Sequence, residues 1–212
     1  MTKGNHTVQI YVEEPFLLDE LTEFVGSGIA AGEGVVVIAT AAHRAALLRR
    51  LRRSGIDTDA ETRANRLFLV DAEETLARFT EGPRLIYKRF VETVAPLLAQ
   101  AAGGHRGVRA FGEMVSILRD RGEPQAALRL EEMWDALRDV RSFDLLCAYP
   151  LRSFGGPDGA AALRKVCNAH EGVIPAETYP SGGTPEERAH AVVALQQRVA
   201  ALESPRDEEL RR

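Results

Sequence analysis

The chain has 212 residues, of which 45% are hydrophobic, 27% charged and 6% aromatic, with a formal net charge of −4 and two cysteines. That balance excludes a disulfide-stapled secreted miniprotein, a low-complexity disordered chain and a polybasic nucleic-acid-binding tail protein. A chain of this length buries roughly 70% of the surface its unfolded form exposes, so one core forms without a metal or a staple.

Residues 1–11 carry one lysine and no apolar stretch of the kind a signal peptide needs. The longest strongly apolar run, residues 35–42, is far shorter than the roughly 20 residues that cross a bilayer. The expectation is a cytoplasmic protein without membrane association, with Cys147 and Cys167 reduced.

Strand-like and helix-like segments then alternate. Val8, Ile10 and Val12 recur at period two and predict a strand over residues 6–12. Pro15 suits a first helical turn, and Phe16, Leu17, Leu21, Phe24 and Val25 keep helical spacing until Gly26 and Gly28. Residues 34–39 form a continuous β-branched run, the pattern of a strand covered on both faces. Thr40 caps a predicted helix through Arg53, which Gly55 ends.

Residues 66–70 predict a third strand, and Asp71-Ala-Glu-Glu74 directly after it fits a capping box. A long helix is expected over residues 85–102, with Pro96 as a potential kink, and a fourth strand over 108–111. Helices over about 113–121 and 124–140 follow, the second with Ala127, Leu130, Trp134 and Leu137 on one stripe. A fifth strand over 143–148 and a helix over 158–169 complete the series. The alternation predicts an α/β fold: a mostly parallel central sheet of about five strands, flanked by helices on both faces and joined by right-handed crossovers.

Beyond a globular part over residues 1–179 lies an extension over 180–212. It reads as a linker, an amphipathic C-terminal helix begun by Thr184-Pro-Glu-Glu187, and a charged tail. Val192, Leu195, Val199 and Leu202 follow 3-4-3 spacing for about two heptads, which is marginal alone. That helix either folds back onto the domain or serves as a homodimer or signalling contact.

An open α/β sheet binds ligands in the turns after its strands. The turn after the second strand, Thr40-Ala-Ala-His43-Arg44, lacks the glycines, lysine and Ser/Thr of a phosphate-cradling loop, so nucleotide hydrolysis is not expected. Arg44 and the helix amino terminus remain a candidate anion site. No Ser-His-Asp arrangement has a nucleophile elbow around it. Cys147, with Cys167-Asn-Ala-His170 one helix later, makes a three-ligand set suited to zinc; the alternatives are structural thiols beside a capping histidine, or a reactive cysteine.

Glu113 stands where a functional carboxylate belongs, or serves first-turn helix electrostatics. His6 and His43 read as local hydrogen-bonding groups, and Trp134 as core or as the aromatic wall of an apolar pocket. Arg44, Arg49, Arg50, Arg52 and Arg53 read as a solvated helix face, because Asp57, Asp59 and Glu61 follow at once; nucleic acid is not the expected partner.

Seven stretches together carry a resemblance: His6-Thr-Val-Gln-Ile-Tyr11; Gly28-Ile-Ala-Ala-Gly-Glu33 with Val36-Val-Ile-Ala-Thr40 and His43-Arg44; Val70-Asp71-Ala; Arg109-Ala-Phe-Gly-Glu-Met114; Leu130-Glu-Glu-Met-Trp134; Leu146-Cys-Ala-Tyr-Pro150; and Cys167-Asn-Ala-His170. In this order they resemble the MEDS domain, the methanogen/methylotroph DcmR sensory domain, over about residues 6–177. The resemblance implies a RecA/KaiC-like fold without the P-loop and a non-enzymatic role in sensing small hydrocarbon derivatives, within transcription regulators or beside histidine kinases.

Carried onto this chain, the resemblance makes His6, Tyr11, His43, Glu113, Trp134, Cys147 and Tyr149 candidate ligand-binding residues. Cys147, Cys167 and His170 are the candidate metal set; no cofactor is expected, and zinc is the one to consider if that set binds a metal. No kinase or DNA-binding domain is recognisable in the sequence, so the output is expected to pass through a partner such as a histidine kinase or regulator. The competing readings are a partner-binding scaffold without ligand, and a metal- or thiol-dependent enzyme using Cys147, Cys167, His170 and Glu113.

Overall fold

Strands that are apolar on both faces must be covered on both, and the computed structural model, which describes residues 4–155 and 157–177, shows how the chain does this. The first half runs β1 (His6–Tyr11), α1 (Glu14–Ala30), β2 (Gly34–Ala39), α2 (Ala41–Arg53), α3 (Thr58–Arg63), β3 (Leu67–Asp71) and α4 (Ala72–Phe79). A two-strand hairpin of β4 (Thr80–Glu81) and β5 (Arg84–Leu85) leads into α5 (Tyr87–Ala102). Then come β6 (Val108–Gly112), α6 (Met114–Asp120), α7 (Pro124–Val140), β7 (Asp144–Pro150), a 3-10 turn (Leu151–Phe154), α8 (Gly159–Asn168) and β8 (Gly172–Ile174).

The main sheet has six strands in the order β3-β2-β6-β7-β1-β8, and each neighbouring pair is parallel. Alternate side chains serve two cores. Val35, Val37, Ala39, Phe111, Leu146 and Ala148 meet Leu17, Leu21 and Val25 of α1 and Leu47 and Leu51 of α2. Val8, Ile10, Val36, Ile38, Ala110, Leu145, Cys147 and Tyr149 face the opposite layer, with residues of α4 to α8. Burying each leucine contributes roughly 2 kcal/mol. At Gly34 the backbone of α5 comes so close that a Cβ would lie 1.9 Å from the Ala101 carbonyl oxygen, so this strand start requires glycine.

The caps follow the sequence. The Thr40 hydroxyl accepts from the His43 amide at 3.4 Å, and the Asp71 carboxylate accepts from the Glu74 amide at 2.9 Å. Three elements differ. The sheet gains a sixth strand, β8, whose three residues are too short to show a period. Thr58–Arg63 forms a helix started by the Asp57 side chain. Arg84 and Leu85 pair back on Thr80 and Glu81, so the long helix starts at Tyr87, and Pro96 is accommodated inside it.

The predicted domain boundary at residue 179 and the extension over 180–212, including its amphipathic helix, lie outside the described residues. Among the described residues no helix is long and apolar enough to cross a membrane.

Candidate functional site

The predicted site residues fall into two polar groupings. The first lies at the carboxyl ends of β2 and β6, neighbours in the sheet whose following helices cover opposite faces. Such a switch in direction opens the crevice where α/β sheets bind ligands. Thr40 and His43 follow β2, and Glu113 follows β6. One Glu113 oxygen accepts from the Thr40 amide at 2.8 Å, and the other lies 2.6 Å from His43 Nδ1.

Both side chains are buried, and the hydrogen bond that His43 donates to Glu113 holds the His43 pKa above its ordinary value, against the opposing effect of burial. The chain's own carboxylate therefore sits at the amino terminus of α2, the place an incoming anion would take. Arg44 is also committed, bonding to Asp71 at 2.9 Å and the Ala39 carbonyl at 3.2 Å. The Tyr11 phenol is raised by burial first and by the Glu113 charge second.

The second grouping is enclosed between the sheet and α7. His6 of β1 and Cys147 of β7 point to the same face, because Val8 pairs with Cys147 and His6 lies two residues earlier. Glu131 approaches from α7, and His170 closes the group from the turn between α8 and β8. Glu131 Oε2 is 3.4 Å from both His6 Nε2 and Cys147 Sγ; Cys147 Sγ is 3.5 Å from His6 Nε2; and His170 Nε2 is 3.6 Å from Glu131 Oε1. One nitrogen, oxygen or sulfur atom from each residue lies within 4.8 Å of all the others. His6 and Cys147 are 0% exposed, Glu131 2% and His170 9%.

A ring of further bonds orients this group. His6 Nδ1 lies 3.1 Å from Asp135, which Arg138 holds at 2.7 Å. His170 Nδ1 donates to the Val166 carbonyl at 2.6 Å, and the Tyr149 hydroxyl donates to Glu131 at 2.7 Å. Arg138 also bonds Glu171 at 2.7 Å, and Glu171 accepts from the His6 amide, which ties β1 to the α8–β8 turn.

Burial alone would raise the Glu131 pKa, but the His6 hydrogen bond and the nearby His170 and Tyr149 groups bring it below the usual carboxylate range. Burial, followed by the Glu131 charge, pushes the Cys147 thiol and the Tyr149 phenol well up. Burial holds the His170 pKa below its ordinary value, and its Nε2 faces the group with no hydrogen-bond partner.

The structure thus brings His6, Cys147, Tyr149 and His170 together and places His43, Glu113 and Tyr11 at the carboxyl edge of the sheet, where its interior strands end. Cys167 is not in the enclosed group. It is half-buried on α8, whereas His170 lies past the helix end, with its ring bonded back onto the Val166 carbonyl and its Nε2 in the four-residue group that omits Cys167. Trp134 is 0% exposed and packs edge-on against Phe90 with ring centroids 5.0 Å apart, deep in apolar core. Glu131 was not anticipated as a site residue. It falls four residues after Ala127 and three before Trp134, so a carboxylate sitting on the apolar stripe of α7 was the available signal.

The family model for MEDS, the methanogen/methylotroph DcmR sensory domain, matches residues 5–171. The chain belongs to the MEDS family. No curated protein matches it. The MEDS match begins one residue before His6 and ends one after His170, so it spans both polar groupings. Membership in a sensory-domain family points to a sensory or signalling role.

Proposed function

We propose that this MEDS domain is a non-enzymatic receptor. It binds a small organic ligand of the hydrocarbon-derivative class at the enclosed grouping and thereby changes its association with a signalling partner such as a histidine kinase or regulator. The observation that carries this reading is the buried meeting of two imidazoles, a thiol, a carboxylate and a phenol around an unpartnered His170 nitrogen. Buried polar groups are costly when unpaired, so a group of this kind inside a core is a recognition feature more than a packing one.

Two features support binding over catalysis. The thiol and phenol are pushed toward their protonated forms, which makes both poor nucleophiles. At the sheet edge, Glu113 already fills the anion position that phosphate chemistry would use.

The route from ligand to partner follows from where His170 sits. Its turn covers the enclosed group and leads through β8 to the residues past 177. A ligand entering there displaces or re-seats that turn, and it shifts the conformational balance by its difference in affinity for the two states. A thermal-shift panel of short alcohols, aldehydes, haloalkanes and organic acids should give at least one saturable stabilisation. A panel without any such shift contradicts the receptor reading.

A further inference from the structure

We propose that His6 Nε2, Glu131, Cys147 Sγ and His170 Nε2 form a tetrahedral binding site for a divalent transition ion, with zinc the best fit. The site stands on its own geometry and donor chemistry; its service as the receptor centre rests on the sensory reading above.

The separations are the first argument. Zinc bonds of about 2.0–2.3 Å at tetrahedral angles place ligand atoms about 3.3–3.8 Å apart. Among His6 Nε2, Cys147 Sγ and Glu131 Oε2 the three separations are 3.4, 3.4 and 3.5 Å; His170 Nε2 lies 3.6 Å from the other carboxylate oxygen, Oε1, and one donor atom of each of the four residues lies within 4.8 Å of all the others. Two nitrogens, one sulfur and one carboxylate oxygen make a borderline-soft donor set, which suits zinc and disfavours magnesium and calcium.

The surrounding bonds are the second argument. A histidine ligates through one ring nitrogen while the other donates to a carboxylate or a backbone carbonyl. His6 faces Asp135 with Nδ1, and His170 donates from Nδ1 to the Val166 carbonyl, so both Nε2 atoms are left toward the centre. The fully buried His170 Nε2 has no protein partner and lies 3.6 Å from Glu131. A metal supplies the partner this lone pair lacks. The Tyr149 hydroxyl donates to Glu131 Oε1, which leaves Oε2 as the oxygen nearest His6 Nε2 and Cys147 Sγ.

Charge is the third argument. Binding forms the zinc–sulfur bond and releases the Cys147 thiol proton to solvent. One dication, one thiolate and one carboxylate then sum to zero with both imidazoles neutral, which suits a site without water. Among the four ligands the carboxylate is the one a small oxygen or sulfur donor would replace most readily, so a ligand of the receptor would act at Glu131.

The test uses the full chain purified without an affinity tag, stripped with chelator and titrated with cobalt(II) and with zinc. One cobalt per chain, visible absorption bands of tetrahedral geometry and a thiolate charge-transfer band are expected, all abolished by one equivalent of zinc. Cys147→Ser should lose the charge-transfer band, Asp135→Asn should weaken zinc binding by about 10-fold to 100-fold, and Cys167→Ser should change neither. Cobalt bands of octahedral type, stoichiometry well below one, or a charge-transfer band lost with Cys167→Ser and kept with Cys147→Ser would overturn the site. If Cys147→Ser does not fold, the wild-type spectrum and stoichiometry decide. Tight zinc binding with no response to the organic panel would remove the receptor reading and leave the metal site standing; a response in chelator-stripped protein without metal uptake would do the reverse.

Discussion

His43 with Glu113 at the sheet edge and His6 with Glu131 inside the core are both buried histidine–carboxylate pairs, and they solve different problems. At the edge, the carboxylate closes the amino terminus of α2 and fixes the histidine, and no anion is needed to complete the arrangement. Inside, the carboxylate is shared among a thiol, a phenol and two imidazoles, and one nitrogen is left without a partner. The difference teaches that burial and a perturbed titration do not by themselves mark a site; the unmet valence does.

The largest expected effect separates the two pairs by stability. Glu131→Ala removes the one carboxylate that the buried thiol and phenol both donate to, and should cost about 3–5 kcal/mol in urea unfolding of chelator-stripped protein. Glu113→Ala, beside solvent-accessible turns, should cost about 1–3 kcal/mol. Equal losses would erase the distinction.

The pH dependence of stability sharpens it further, with opposite signs. His43 binds its proton more tightly folded than unfolded. Its stabilisation is complete below the ordinary imidazole value of about 6.5 and is lost as pH rises through the higher folded value. His170 is depressed, so the fold loses stability as pH falls from about 6.5 toward its lower folded value. In the presence of chelator, Glu113→Gln should flatten the alkaline side of the stability profile and His170→Gln the acid side. If both variants flatten the same side, the assignment of roles is wrong.

Much of this was legible in the sequence. The apolar runs of β2 and β7, the caps at Thr40 and Asp71 and the interruption before Pro124 are local signals, and each element formed within a few residues of its expected place. The edge strand β8 was not, because three residues joined to β1 alone leave no pattern to read. The site was legible in its parts and hidden in its assembly. His6 and His170 are brought together by parallel pairing across the whole chain, and Glu131 looked like one more acidic residue in a charged helix. Cys167 suggested a ligand by spacing alone, and the four residues that converge do not include it.

Two smaller substitutions set the scale. Asp71→Ala, the loss of another carboxylate that caps a helix, should cost about 1 kcal/mol in thermal unfolding, and places Glu113 on the same footing if the two values are similar. Arg50→Ala, which removes a surface ion pair with the mostly exposed Asp19, should change stability by less than about 0.5 kcal/mol.

The measurement that tests the receptor reading most directly is the organic-ligand thermal-shift panel run on three proteins: wild type, Cys147→Ser and Glu113→Gln. A saturable shift is expected in the wild type, surviving Glu113→Gln and disappearing in folded Cys147→Ser. A shift that disappears in Glu113→Gln and survives Cys147→Ser would place recognition at the sheet edge and contradict it.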